Sequence, residues 1–172
     1  MKKNIVFIVA FSLTLSFFIS CTSDNNLNNE TTVTKLEDSS EYETAYTYTS
    51  YEVEVIDLIN NYRINIGLKP LKLSNFISNK CAEHDQYMIE NNVLNHDNFD
   101  IRSQSIMTTL SAKKIGENVA YNFDSAKSVL DAWLSSPDHK KNIEGDYTHF
   151  GFSIQTDPKT GKIYYTNIFA KI

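Results

Sequence analysis

The chain has 172 residues, 41% hydrophobic and 22% charged, with a formal charge of −5. That length fits one packed domain and is short for two, and the acidic balance, with Lys and Arg scattered, excludes the basic footprint of a nucleic-acid-binding protein. Ten Tyr and ten Phe against five Gly and three Pro describe a chain with a filled core and exclude a wholly disordered one.

At the N-terminus Lys2 and Lys3 precede an apolar run from Ile5 to Ile19, the arrangement of a secretory signal peptide over residues 1–20. The run ends Phe18-Ile19-Ser20-Cys21, which resembles a bacterial lipoprotein box, with Phe18 where such boxes more often carry Leu. That resemblance implies lipidation of Cys21 with fatty acyl chains such as palmitate, and so an extracytoplasmic domain anchored to a bacterial membrane. An uncleaved anchor helix or an ordinary secreted protein are the alternatives. With Cys21 acylated only Cys81 remains, and no disulfide can form within the mature domain. From Cys21 to Thr49 the composition is that of a solvated tether. In it, Thr22-Ser23-Asp24 resembles the short surface-export signals of some outer-membrane lipoproteins.

The folded domain is expected over residues 50–172. Thr49-Ser50-Tyr51-Glu52 fits a capping box, and Val53, Ile56, Ile59, Tyr62 and Ile66 keep a helical period up to Gly67. Pro70 breaks the chain, and Ser74 caps a second helix to about Asn92, whose apolar stripe of Ile77, Cys81 and Met88 includes His84. His84 is read as a core histidine rather than a ligand. His96 follows in a run of turn-forming side chains, Asn95, Asp97 and Asn98, able to hold an imidazole tautomer or simply to leave it solvated. Residues 101–113 give a weak helical pattern. Gly116 permits a bend, so Glu117 can be aimed off the path of a strand or loop, or stand as a surface acid. Asp124 or Ser125 caps a third helix with Trp133 as core anchor, and Ser136-Pro137 opens a short helix to about Ile143, with His139 in its first turn. The positive end of that helix favours neutral His139. A hairpin closes the chain: Phe150, Phe152 and Ile154, a turn at 157–161, then Ile163, Tyr165 and, after a shift in phase, Ile168 and Ile172. His149 is read as exposed. Two imidazoles and a carboxylate, His96, His139 and Glu117, suit zinc or general acid–base chemistry if the fold brings them together.

Several ordered motifs carry a family likeness: Asn60-x-x-Arg63, Asn95-His96-Asp97, Gly116-Glu117-Asn118-Val119-Ala120, Trp133-x-x-Ser136-Pro137-x-His139-x-x-Asn142-Ile143, Phe150-Gly151-Phe152 and Tyr164-Tyr165-Thr166-Asn167-Ile168-Phe169. Together they resemble the bacterial branch of the CAP superfamily, which contains the cysteine-rich secretory, antigen 5 and pathogenesis-related proteins. The resemblance implies an α+β fold, a three-layer α-β-α sandwich with a small antiparallel sheet, and a central cavity lined by two histidines and usually two acids. By motif, His96 and His139 match the metal-binding histidines and Glu117 the acid of the Gly-Glu-Asn run. Asn95, Asn118, Ser136 and Asp138 fall around them. Ser136 stands where non-bacterial members carry the second acid, which puts any two-carboxylate mechanism in doubt, and Asp138 where many bacterial relatives have glycine.

Three readings of function follow. One is a non-enzymatic binding module whose cavity holds zinc or another divalent ion and a lipid or peptide ligand. The second is a metal-assisted peptidase or esterase in which Glu117 takes a proton from metal-bound water. The third is a structural surface domain.

Overall fold

A computed structural model of the chain describes residues 44–172, which belong to one compact unit, Asp38–Ile172. The predicted leader, Cys21 and the tether up to residue 43 lie outside the described residues. The elements in chain order are α1 (Ser50–Asn65), β1 (Lys72–Leu73), α2 (Asn75–Asn91), α3 (Phe99–Leu110), β2 (Lys114–Tyr121), α4 (Ala126–Ser135), α5 (Pro137–Ile143), β3 (His149–Thr156) and β4 (Ile163–Lys171).

The strands form one sheet in the order β1-β3-β4-β2. The expected antiparallel sheet is therefore mixed: β1 runs parallel to β3 through Lys72↔His149 and Leu73↔Phe150, while β3 and β2 flank β4 antiparallel. Helices α2 and α3 pack on one face, and α1, α4 and α5 form the other layer. This is the α-β-α sandwich. β4 is buried along almost its whole length: Tyr165 and Phe169 enter the core under α1 and α4, and Ile168 and Ala170 the core under α2. The expected shift of phase in that strand does not occur. A central strand covered on both faces has no polar alternation to keep.

Local chemistry accounts for most boundaries. The Thr49 hydroxyl accepts from Glu52 N at 3.2 Å, and the Glu52 carboxylate accepts from Thr49 N at 2.7 Å. Gly67, at φ +81°, ends α1 as Leu68 N returns to Arg63 O. The Ser74 hydroxyl caps α2, and Ser125 with Ser128 forms the box that opens α4. The exception is α3, a full helix where the sequence pattern is weak: it has no side-chain cap, and only Arg102 and Ile106 are buried, one turn apart. Packing against β2 holds it, which a single segment cannot reveal. Residues 44–49, expected in the tether, lie against the domain: Tyr46 donates to Glu52, Tyr48 shares a hydrogen bond with Ser78, and Asn79 donates to Thr44 O.

Trp133, Phe150, Phe152, Tyr165 and Phe169 are all 1% exposed or less and fill the larger core. Each such burial contributes on the order of 1.5–3 kcal/mol. Gly151 lies directly under α2, where a Cβ would collide with Ser78 N and the Ile77 carbonyl carbon. Glycine there sets the helix-to-sheet spacing.

Candidate functional site

Strand β2 is an outer strand of the sheet, paired on one side with β4 through Glu117↔Ile168 and Asn118↔Asn167. Alternation therefore sends Glu117 to the α2–α3 face and Asn118 to the opposite one. Each grips a different part of the chain. Asn118 Nδ2 donates to His139 O at 3.0 Å, which fastens the first turn of α5. The Glu117 carboxylate, with 2% of its side chain exposed, takes hydrogen bonds from Arg102 Nε (2.9 Å, to Oε2), Arg102 Nη2 (2.8 Å, to Oε1) and His96 Nδ1 (2.8 Å, to Oε1). The Gly-Glu-Asn run thus clamps the His96 loop and the His139 helix to one strand from its two faces.

The free side of β2 is closed by two further side chains. Asn142 Nδ2 donates to Glu117 O (3.1 Å) and Asn118 Oδ1 (2.8 Å), and Trp133 Nε1 donates to Val119 O (3.2 Å). Both satisfy outward carbonyls of an outer strand that would otherwise present them to another chain. Gly116 sits in regular strand, with no bend. What its missing side chain provides is room, since a Cβ would lie 2.5 Å from Tyr147 Oη and 2.7 Å from Asn142 Oδ1.

His96 is half exposed and makes no protein hydrogen bond through Nε2 among the described residues. His139 is half buried, and its ring makes no hydrogen bond there either. Burial lowers its proton affinity, the nearby His96 lowers it further, and Asp138 opposes both. The neutral form expected at a helix start is favoured, but desolvation is the larger cause. Asp138 is exposed and acts on His139 only through its charge. Ser136 ends α4 and opens α5 through its backbone, and its hydroxyl makes no cap bond.

His84 is buried as expected, and Nε2 donates to Asn95 O at 2.9 Å. It also lies under the site, 3.9 Å from Glu117 Oε1, and burial depresses its proton affinity. Asn95 braces the loop on its other side, with Oδ1 accepting from Asp97 N and Nδ2 donating to Asp97 Oδ2. Arg102 is the site-lining residue that sequence reasoning missed. Its one signal was a cation near the start of a weakly patterned segment, and nothing in that pattern points to Glu117, fifteen positions away. His149, read as exposed, is half buried and bonded to the Thr148 hydroxyl.

Against this geometry, residues 56–169 match the model of the CAP family, described as the cysteine-rich secretory protein family. The chain belongs to that family. A membrane protein of Bacillus subtilis, YlbC, is 28% identical over 127 residues, covering 72% of this chain and 35% of the relative. The chain spans well under half the length of the curated relatives it matches. Among solved structures, an outer surface protein of Borrelia burgdorferi superposes with a TM-score of 0.62 at 20% identity, over 68% of this chain and 89% of that one. An extracellular protein of Bacillus anthracis that contains an SCP domain superposes at 0.61 and 20% identity, over 74% and 45%. These two likenesses show the CAP fold alone.

Proposed function

We propose that this CAP domain is an extracytoplasmic binding module in which His96 and His139 hold a divalent cation, and that Glu117 orients the site without serving as a base. The observation that carries the reading is the engagement of Glu117. Both of its oxygens accept from Arg102, and one also accepts from His96. A carboxylate so occupied is poorly placed to take a proton from water.

The donor set fits a particular kind of ion. No group of three His, Cys, Asp or Glu side chains able to hold a metal converges among the described residues. Two imidazoles, of which His96 is half exposed and His139 half buried, suit zinc and similar ions with water completing the shell, and suit magnesium or calcium poorly, because those seek oxygen. When bound, such an ion supplies a Lewis-acidic centre with open positions for an oxygen donor of a peptide or a lipid headgroup.

The full chain is expected to bind about one zinc near neutral pH, as read by isothermal titration, with no competition from excess magnesium or calcium. The double variant His96→Ala, His139→Ala is expected to lose that binding, and unchanged zinc content in it would overturn the metal reading. Peptidase or esterase turnover that disappears in Glu117→Gln would overturn the non-enzymatic one.

A further inference from the structure

We infer that Arg102 is a positioning residue that fixes the tautomer of His96, holding the proton on Nδ1 so that the bare nitrogen facing solvent is Nε2. A carboxylate can only accept, so the 2.8 Å contact between His96 Nδ1 and Glu117 Oε1 requires Nδ1 to carry the hydrogen. A neutral imidazole has one such hydrogen, and its lone pair is then on Nε2. Imidazole in water prefers the opposite arrangement, so something must hold the acceptor in place.

That something is the guanidinium. Arg102 reaches Glu117 with two prongs, Nε to Oε2 at 2.9 Å and Nη2 to Oε1 at 2.8 Å, which fixes the carboxylate in plane and in rotamer. Its remaining nitrogen, Nη1, donates to Asp97 O at 2.6 Å and pins the main chain just after His96. His84 Nε2 holds Asn95 O at 2.9 Å, just before it. The imidazole is thus set by its acceptor and by both neighbouring carbonyls. Side-chain exposures of 8% for Arg102 and 2% for Glu117 keep water from substituting for either. The same grip takes Glu117 out of any ligand set. The consequence for metal rests on the binding reading given above, whereas the hydrogen on Nδ1 follows from the contact with the Glu117 carboxylate.

The test is the tautomer of His96 in the metal-free full chain, read from long-range proton–nitrogen correlation spectra at about pH 8, where ordinary imidazole is neutral. The wild type is expected to show a protonated Nδ1 and a bare Nε2. Arg102→Met is expected to release the Glu117 carboxylate from its fixed rotamer and return His96 to the solvent-preferred Nε2–H form, with zinc affinity falling about 10- to 100-fold. Arg102→Lys keeps a positive charge but replaces the two-pronged grip with one ammonium, and the same direction of change is expected. It decides the matter where the Met variant does not fold. A wild-type Nε2–H tautomer, or an unchanged tautomer in the folded variants, would overturn the inference whether or not zinc binds. An Nδ1–H wild type that shifts with Arg102 but binds no zinc supports the inference and removes only the metal reading.

Discussion

Three of the four buried carboxylates among the described residues, Glu117, Glu52 and Asp85, are accommodated in three ways. Glu117 is matched by a guanidinium and aims an imidazole outward. Glu52 is matched by neutral donors: Thr49 N and Oγ1 on one oxygen, Tyr46 Oη and Ile154 N on the other. Its task is to join the start of α1 to β3. Asp85 receives one hydrogen bond on Oδ1, from the Thr166 hydroxyl at 2.6 Å, and Oδ2 has no partner among the described residues. Burial pushes its proton affinity well up, with Glu52 and Glu117 adding to the effect. A carboxyl whose folded pKa lies above its unfolded one binds more protons when folded, so stability falls as pH rises from about 4 toward the folded value. Asp85→Asn is therefore expected to flatten the decline of thermal stability above about pH 4, and at neutral pH to be at least as stable as the wild type. Melting curves across that range check it, and a slope identical to wild type would contradict it.

At the scale of elements, spacing is set by what is left out. Gly151 in β3 brings α2 onto the sheet, and α2 carries His84 and Asp85. Gly151→Ala is expected to cost about 1–3 kcal/mol, read as a lower urea midpoint with little change in slope, because backbone and not a flexible side chain meets the new methyl. A comparable role belongs to Gly116, whose room is taken by Tyr147 and Asn142. The short helix α5 is tied to β2 in both directions: Asn118 donates to the His139 carbonyl, and α5's own Asn142 donates to the Glu117 carbonyl. Ile143 in the core and the Arg63 guanidinium on the Ile143 carbonyl hold its far end.

For the whole molecule, the described domain relies on its two-sided core, since Cys81 is buried and unpaired and burial pushes its thiol up. No helix of the described residues is long and apolar enough to cross a membrane. Attachment is expected to come from Cys21: labelled fatty acid should appear on the wild type and vanish in Cys21→Ala, and label that persists would contradict lipidation. Much of this architecture could be read along the chain. The capping box at Thr49, the stop at Gly67, the stripe of Ile77, Cys81, His84 and Met88, and the anchor at Trp133 depend on residues within a few positions of one another, so local sequence determined them. Strand β1 could not be read, because two residues beside Pro70 become a strand only when β3 lies next to them. Helix α3 could be read only weakly, because its helicity comes from burying Arg102 and Ile106. His96, Glu117 and His139 stood out as residue types, but the contact of His96 with Glu117 and the fastening of the His139 main chain to Asn118 were decided by a strand that points those two side chains to opposite faces. The pairing of Arg102 with Glu117, which turns a candidate base into a fixed acceptor, exists only in the tertiary structure, because hydrogen bonds and ion pairs answer to distance in space and not to position in the chain.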